Sequence, residues 1–569
     1  MNENVKIFFG LIGGLALFLY GMNSMSDALQ KAAGEGMKKI LSFLTRNAVM
    51  GALAGALVTA VLQSSSATTV MVIGFVSAGL MSLPQAISVI FGANIGTTMT
   101  AQLMAFKISN YIYPIIFIGF LLNFISKKEK AKNIGMVIFS FGLLFEGIEI
   151  MGNVMKPLAS SPFFVEMMGR VTHLPILGVF LGAGMTLVVQ SSSATIAVLQ
   201  NFASQAGPDG VHSVIGLTGA IPILLGDNIG TTITALLASI GQSRNAKRTA
   251  LAHSVFNITG SIVFLFFIPV LAGFVRMISP KGPELEVISR QIANAHTTFN
   301  VVCTLVWLPL IPVMVKIVKF LVRGEDQQER QSYEPKFLEN RVLTQPTAAL
   351  YLVSEEIQRV SDFTKQMLDQ MKLSFVGKEP QAAFQSYQEM HHAVKTLQEQ
   401  IGNYIVKMFS SGTLTAQQSE QAAGLLYINN NIARIADRCE EIGAVAEISL
   451  EQGGIFSQEA KEELETGIGT LENLFATAMR ALETGDKDIV AKVSKDKNKI
   501  RKLQKQNNKA HLSRIKKNTC SSDMTKEYSD LLYNIDRIAD NCVGISEEAM
   551  DNISFQKLYQ NNAEQESTK

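Results

Sequence analysis

The residues with the clearest capacity for chemistry form two copies of one polar hexapeptide set in apolar sequence. Residues 63–68 and residues 190–195 both read Gln-Ser-Ser-Ser-Ala-Thr. Each copy is followed by a second shared segment, Gly-Ala-Asn-Ile-Gly-Thr-Thr at 92–98 and Gly-Asp-Asn-Ile-Gly-Thr-Thr at 226–232. At membrane depth, such residues leave hydroxyl, amide and backbone groups without water, and each is costly unless a partner satisfies it. The duplication therefore predicts a site that binds something polar.

The residue types in these segments fit the capture of an anion together with a cation. Backbone N–H groups at a helix N-terminus and serine hydroxyls donate to a phosphate or a carboxylate. Asn and Thr oxygens, with carbonyl groups freed where a helix is unwound, suit a hard cation such as sodium. The apolar run around each hexapeptide contains no Lys or Arg. Neutral donors must therefore bind the anion, and co-bound cations must balance its charge. The alternative is that Ser, Thr and Gly only allow helices to pack closely.

The elements that hold these segments divide the 569-residue chain by composition. The composition predicts a membrane domain over 1–323, a linker over 324–342, a helical domain over 343–555 and a disordered tail over 556–569. A net charge of +2 argues against binding to nucleic acid. The four cysteines show no metal-ligand spacing. Disulfide stapling is not expected either, which favours a reducing cytoplasm around the polar part.

The apolar runs predict an all-α, polytopic membrane protein with inverted repeats, followed by a soluble helical bundle. Repeat 1 covers about 5–126, repeat 2 about 134–274, and a final span about 293–322. Each Gln-Ser-Ser-Ser segment interrupts an apolar run, which is typical of two half-helices in a re-entrant hairpin. The second shared segment is expected to break the span that follows. Three crossings and one hairpin per repeat invert the second repeat relative to the first.

The loops carry two further signals. Loops opposite the N-terminus hold 14 Lys and Arg residues, and loops on its own side hold 7. The positive-inside rule therefore places the N-terminus outside and the C-terminal domain in the cytoplasm, with the spans in the cell membrane. The two shared segments are 29 residues apart in the first half and 36 in the second, and the extra seven fit a loop insertion near 207–210.

The paired QSSSAT segments, with GANIGTT and GDNIGTT after them, resemble bacterial members of the type II sodium-phosphate cotransporter family over about 5–322. The resemblance implies sodium-coupled transport of inorganic phosphate, with phosphate between the two hairpin tips and sodium ions beside them. The implied phosphate ligands are Gln63, Ser64, Ser65, Ser66, Gln190, Ser191, Ser192 and Ser193. The implied sodium ligands are Asn94, Thr97, Thr98, Asn228, Thr231 and Thr232.

Three ionisable residues extend this hypothesis. Asp227 stands where the first repeat has Ala93, and an acid in a predicted broken span indicates a sodium-binding or charge-coupling role. A cap on the helix break is the alternative for Asp227. His253 and His296 each begin an H-x-x-F-N pattern that also resembles the family. Interhelical hydrogen bonding is favoured for these histidines over direct contact with substrate.

The polar part of the chain has a repeat of its own. Residues 432–439 read IARIADRC and residues 535–542 read IDRIADNC, an offset of 103. The pattern predicts about six helices in two sets of three and resembles the PhoU family of phosphate-regulatory domains. That family binds metal clusters through acids four apart on one helix face. Asp536 and Asp540 keep this spacing and imply a divalent metal, whereas Ala433 in the first copy favours solvated helix faces.

The sequence thus predicts a sodium-coupled phosphate symporter in the lipid bilayer, with sodium ions and inorganic phosphate as its ligands. A phosphate exporter and a phosphate sensor with a regulatory tail are the alternatives. A homo-oligomer and a cytoplasmic regulatory partner both remain open. An enzyme is disfavoured because the chain has no Walker motif, zinc-ligand spacing or nucleophile elbow.

Overall fold

The computed structural model describes residues 3–33, 47–106, 108–159, 166, 169–171, 173–324, 334–343, 345–451, 456–517 and 525–559. The chain forms two compact units, Met1–Gln327 and Gln328–Lys569. Over the described residues every regular element is an α-helix or a short 3₁₀ helix, so the predicted all-α class is confirmed. Lys38, Lys39, Arg46 and Lys107, which contribute to the loop charge bias, lie outside the described residues.

The first unit is the multi-pass membrane domain. Among its described helices, four are long and apolar enough to cross a membrane, or up to six if each bent helix pair is one span. Its helices are α1 (Glu3–Ala33), α2 (Ala48–Leu62), α3 (Ser65–Ser77), α4 (Leu83–Met104), α5 (Ile112–Ile125), α6 (Glu129–Ala159), α7 (Pro175–Val189), α8 (Ser192–Ala203), α9 (Gly216–Gly230), α10 (Thr232–Ala238), α11 (Arg244–Phe266), α12 (Ile268–Ile278), α13 (Glu284–Trp307) and α14 (Ile311–Leu321).

The two predicted hairpins are present as helix pairs, α2 with α3 and α7 with α8. Gln63 ends α2 with φ 51° and Gln190 ends α7 with φ 53°. In the described part of the chain, these two are the non-glycine residues with positive φ. A left-handed backbone costs an L-residue about 1–2 kcal/mol. Both repeats thus adopt the same unfavourable backbone conformation at the matching glutamine.

The helix break predicted at residues 92–98 is absent. Helix α4 runs without interruption from Leu83 to Met104, and the matching α9 and α10 are separated only at Thr231. A Cβ atom on Gly92 would lie 1.7 Å from the carbonyl oxygen of Ala52, and one on Gly226 would lie 2.0 Å from that of Val179. These glycines therefore let α4 pack on α2 and α9 pack on α7, as the close-packing alternative predicts.

Two predicted spans near the end of the unit are divided. The run at 250–274 separates at Phe267 into α11 and α12, and the final span turns by 88° between α13 and α14. Both new helices carry a proline in their first turn, Pro269 in α12 and Pro312 in α14. Proline lacks an N–H group and suits the first turn of a new helix better than the interior of a continuous one.

Helix α11 also holds the end of the membrane unit. The Arg248 side chain is 5% exposed, and its Nε and Nη2 atoms donate to the Val322 carbonyl oxygen at 3.1 and 3.0 Å. Its Nη2 atom also donates to the carbonyl oxygen of Gly324. These bonds fix the backbone that follows α14 to α11.

The second unit is a bundle of long helices. They are α15 (Pro346–Val376), α16 (Pro380–Ser410), α17 (Ala416–Glu451), α18 (Gln458–Thr484), α19 (Lys487–Lys516) and α20 (Thr525–Asp551), with a short α21 (Phe555–Tyr559). This matches the predicted six helices. Residues 556–559 of the predicted disordered tail belong to α21, where Leu558 is buried. Residues 325–333 of the predicted linker and 560–569 of the tail lie outside the described residues.

Candidate functional site

The two Gln-Ser-Ser-Ser turns have the same local geometry. The Ser64 Oγ atom accepts the N–H of Ala67 at 3.2 Å, and the Ser191 Oγ atom accepts that of Ala194 at 3.2 Å. Each serine is thus the N-cap of the second hairpin helix. An N-cap satisfies only part of the first turn, whose N–H groups have no intrahelical acceptors. Each turn therefore presents a serine-rich helix N-terminus suited to an anion.

The remaining predicted phosphate ligands differ in burial. Ser65 is 4% exposed and Ser193 is 8% exposed, whereas Ser66 and Ser192 are partly buried. The Gln63 amide is held inside its own repeat, because Thr100 Oγ1 donates to its Oε1 atom at 2.9 Å. Gln190 at the second turn is exposed. The two glutamines thus share a backbone conformation and have different surroundings.

The first turn contacts the second repeat directly. Thr234 Oγ1 donates to Ser66 Oγ at 3.1 Å, and Ser77 Oγ at the far end of α3 donates to Gln242 Oε1 at 2.6 Å. Helix α3 therefore lies along the part of repeat 2 that follows its Gly-Asp-Asn-Ile-Gly-Thr-Thr segment. That both turns bind one phosphate ion stays a prediction.

Two threonine pairs that the sequence analysis missed join the arms of each hairpin. Thr59 Oγ1 donates to Thr68 Oγ1 at 2.9 Å, and at the matching positions the Oγ1 atoms of Thr186 and Thr195 lie 3.0 Å apart. All four side chains are at most 1% exposed. The signal was a threonine four residues before each glutamine, which a comparison of the two repeats extended beyond the hexapeptide could have found.

Asp227 joins the threonine pair of the second repeat. Its carboxylate is fully buried, and Thr186 Oγ1 donates to its Oδ1 atom at 2.5 Å. The Oδ2 atom has no hydrogen-bond partner among the described residues. The alternative that Asp227 caps a helix break is wrong, because α9 continues through this position. A buried carboxylate with one unpaired oxygen calls for a cation or a proton.

The asparagines of the two shared segments are bound by the histidines. His253 Nε2 lies 3.1 Å from Asn94 Oδ1, and His296 Nε2 lies 3.2 Å from Asn228 Oδ1. The interhelical role predicted for the histidines is therefore confirmed. Helix α11 therefore contacts the shared segment of the first repeat, and α13 makes the matching contact with that of the second. The predicted repeat boundaries did not include this pairing of α11 with α13.

The hydroxyl groups of the other predicted sodium ligands donate to carbonyl oxygens three or four residues earlier in the chain. Thr97 and Thr98 donate to the carbonyl oxygens of Ala93 and Ile95 at 3.2 and 2.8 Å. Thr231 and Thr232 donate to those of Asp227 and Ile229 at 3.0 and 2.8 Å. A hydroxyl that donates to a carbonyl keeps its oxygen lone pairs for a cation. The sodium assignment stays a prediction at these four positions.

Two further buried side-chain oxygens have no hydrogen-bond partner in the part of the chain that the structure describes. Asn257 and Asn300 are fully buried, and their Oδ1 atoms have no hydrogen-bond partner in the described ranges. Both residues close the H-x-x-F-N patterns of α11 and α13. Buried unpaired amide oxygens are unusual in folded proteins, and a bound cation would satisfy them.

The two acids of the second unit lie among basic residues. Asp540 forms an ion pair with Lys497, and Arg501 lies 3.8 Å from Asp536 and 3.7 Å from Asp540. No group of three or more His, Cys, Asp or Glu residues that could hold a metal exists within the described residues. A divalent metal at Asp536 and Asp540 stays a prediction.

Two family models match the chain, one within each unit of the structure. Residues 17–153 and 151–282 match the model of the Na+/Pi-cotransporter family, and residues 357–446 and 468–549 match the PhoU domain. "Uncharacterized protein YqeW" of Bacillus subtilis is 34% identical over 266 residues, 47% of this chain and 84% of that protein. The chain belongs to the Na+/Pi-cotransporter family. Inorganic phosphate is the substrate of this transporter family.

Two relatives show how far this family likeness extends along the chain. "Putative inorganic phosphate export protein YjbB" of Salmonella typhimurium is 26% identical over 530 residues, covering 93% of this chain and 94% of that protein. Human "Sodium-dependent phosphate transport protein 2B" is 33% identical over 159 residues, 27% of this chain and 21% of that protein. No solved structure matches the chain. The likeness to YjbB thus includes the PhoU domains as well as the Na+/Pi-cotransporter repeats.

Proposed function

We propose that the chain couples phosphate transport to sodium and holds phosphate at the two Gln-Ser-Ser-Ser turns. The observation that carries this proposal is the pair of identically built turns, each with a left-handed glutamine and a serine N-cap. Serine hydroxyls and first-turn N–H groups donate to an anion without placing a fixed positive charge in the membrane. The anion's charge then has to be balanced by ions that enter with it.

Sodium is the co-substrate that the neighbouring oxygens support. The unpaired Oδ2 atom of Asp227 and the unpaired Oδ1 atoms of Asn257 and Asn300 are hard ligands in apolar surroundings. Such oxygens suit sodium in secondary transporters. Asp227 supplies a negative charge that a sodium ion neutralises, which reduces the repulsion between the acid and phosphate.

Export through the same site is the second candidate. It is favoured by the likeness to YjbB over nearly the whole chain, including the PhoU domains, since that protein is named for phosphate export. The chemistry of the site is the same in both directions.

Radiolabelled phosphate flux in proteoliposomes tests the proposal. Uptake should rise with an inward sodium gradient and fall when potassium replaces sodium. Flux that is equal with and without a sodium gradient would contradict coupling. Sodium-independent efflux from phosphate-loaded vesicles would favour export, and binding without flux would favour a sensor.

Serine variants test the turns themselves. Ser65→Ala and Ser192→Ala should each weaken phosphate binding by about 1–3 kcal/mol, the cost of a lost buried hydrogen bond. The double variant should be non-additive, because both residues touch one ligand. Ser140→Ala is the control, since Ser140 is a buried serine of α6 whose hydroxyl has no partner among the described residues. Wild-type affinity in both single variants would exclude a shared site.

A further inference from the structure

The strongest separation of charge in the second unit lies between two neighbouring helices. Helix α19 carries eleven Lys or Arg residues and two Asp residues. Helix α18, which packs against it, carries six Glu residues and two basic residues. The whole chain has a net charge of only +2. A helix of nearly one sign differs from the mixed charges of an ordinary solvated surface.

The basic residues of α19 divide into two faces. Those toward the bundle have acidic partners, as Lys497 has in Asp540 and as Arg514 Nη1 has in Glu463 Oε1 at 2.7 Å. The opposite face exposes six lysines, which we call the lysine stripe: Lys492, Lys495, Lys502, Lys505, Lys509 and Lys516. In the described part of the chain, none of the six forms an ion pair.

The spacing of the lysine stripe makes it a line rather than a pocket. Lys495, Lys502, Lys509 and Lys516 are seven residues apart, which is close to two helical turns. From Lys492 to Lys516 the stripe extends about 36 Å at 1.5 Å per residue. Leu512, which is 53% exposed, lies within it. A long line of flexible ammonium groups with an exposed apolar side chain fits an extended anionic surface.

We propose that the lysine stripe binds the anionic lipid headgroups of the membrane in which the chain is inserted. Clustered lysines near an anionic leaflet add their attractions. The second unit is covalently connected to the membrane unit, so binding of the lysine stripe to the same bilayer is effectively intramolecular. Leu512 enters the interface between headgroups and acyl chains, where exposed Leu side chains of basic helices insert.

The composition of α19 argues against nucleic acid as the partner. Surfaces that bind single-stranded nucleic acid combine basic residues with aromatic rings on which bases stack. Helix α19 contains no Phe, Tyr or Trp, and both of its arginines, Arg501 and Arg514, contact acids of neighbouring helices. All the basic residues of the stripe are lysines.

Lysine acetylation of the full-length chain in nanodiscs tests the proposal. One preparation contains phosphatidylcholine alone and the other contains phosphatidylcholine with phosphatidylglycerol. Mass spectrometry should show acetylation of Lys495, Lys502 and Lys509 slowed several-fold in the anionic nanodiscs. High salt should restore the faster acetylation rate, because salt screens exposed charges. Lys378, exposed elsewhere in the unit, should react equally in both. Equal rates at the stripe would overturn the proposal.

Two triple variants with the same change in net charge distinguish an effect of the lysine stripe from an effect of net charge alone. Lys495→Gln, Lys502→Gln and Lys509→Gln together should abolish the protection of Lys492 and Lys516 in anionic nanodiscs. The control combines Lys378→Gln, Lys461→Gln and Lys526→Gln, and it should retain the protection. Protection that persists in the stripe variant contradicts the proposal. So does protection by a single-stranded RNA in neutral nanodiscs without any effect of phosphatidylglycerol.

Discussion

The two repeats of the membrane unit share one polar framework and differ by a single buried charge. In both, a threonine four residues before the glutamine contacts a threonine of the next helix, and an asparagine contacts a histidine. The first repeat places Ala93 beside this framework, and the second places Asp227 there. Duplication thus supplied the geometry twice, whereas the negative charge belongs to one copy.

The repeats also use one matched threonine differently. Thr100 of the first repeat donates to Gln63 of its own hairpin, whereas Thr234 of the second donates to Ser66 of the other repeat. The threonine at this position therefore bonds within its own repeat in the first copy and to the other repeat in the second copy. The difference shows that pseudo-symmetry in the sequence does not require symmetric partners.

The largest effects should come from the helix contacts that the repeats share. Gly92→Ala and Gly226→Ala should each destabilise the protein by about 1–3 kcal/mol or more, because overpacking forces the helices apart. Thermal unfolding in detergent measures this. Gly184→Ala in α7 is the control, since a Cβ there meets no atom within 4 Å. A loss in only one of the two repeats would show that their packing is not equivalent.

The second-largest effect should be a difference between the two repeats in how substitutions change the sodium dependence of phosphate uptake. Asp227→Asn should lower sodium-driven phosphate uptake by about tenfold, since interactions of a charged group contribute about 1.5–3 kcal/mol. Thr186→Val should alter sodium dependence by removing the bond to the acid. Thr59→Val, the matched change in the first repeat, should leave it unaltered. If Asp227→Asn changes only phosphate affinity, the acid does not couple sodium.

The bond between the repeats should have a smaller effect. Ser66→Ala and Thr234→Val should each lower stability by about 0.5–1.5 kcal/mol, the net value of one neutral hydrogen bond. A double-mutant cycle by thermal unfolding should show coupling between the two. Thr100→Val with Ser66→Ala is the control pair and should be additive, because the partner of Thr100 is Gln63. Additive effects in both pairs would contradict a bond between Ser66 and Thr234 that Thr100 does not share.

The smallest effect should come from the loop that lengthens the second repeat. His212 Nδ1 lies 2.6 Å from Asp209 Oδ2. Hydrogen bonds from the His212 and Val211 N–H groups lower the pKa of Asp209 to about 2, and the Asp209 carboxylate raises the pKa of His212. The ion pair is therefore fully formed between the lowered pKa of Asp209 and the ordinary pKa of histidine, and it is lost as pH rises through the raised pKa of His212.

Histidine NMR tests this loop contact. Asp209→Asn should lower the pKa of His212 toward its usual value in a titration of ¹³C-histidine-labelled protein, with His212→Gln to assign the signal. Both side chains are exposed, so global stability should change little. An unchanged titration in Asp209→Asn would show that the carboxylate does not hold the histidine in solution.

Local chemistry was readable from the sequence wherever adjacent residues decide the structure. The turns at Gln63 and Gln190 followed from a polar segment inside an apolar run. The Thr-x-x-Gln spacing of Thr415 and Gln418 is typical of a capping box, and the structure contains one, with bonds of 3.0 and 3.2 Å between each side chain and the other's N–H group. In each case the donor and acceptor lie within a few residues of each other.

Features set by distant contacts were not readable in the same way. Glycines within residues 92–98 are compatible both with an unwound helix and with close helix packing. The backbone of α2, which lies directly beside Gly92, shows that close packing is the correct interpretation. The bond between Asp227 and Thr186 joins residues 41 apart. The threonine itself is inconspicuous within the apolar run of α7. The candidate site was thus predicted as a set of segments, without the contacts that organise them.

Helix α11 has a mechanical consequence for the transport cycle. His253 binds Asn94 near one end of the site, and Arg248, five residues earlier, holds the carbonyl oxygens of Val322 and Gly324. The two side chains are separated by about 7.5 Å along a continuous helix. A step that displaces His253 therefore also moves the backbone at Gly324. A fluorescent label at residue 323, the exposed neighbour of Gly324, should report sodium and phosphate binding, and Arg248→Gln should silence that signal.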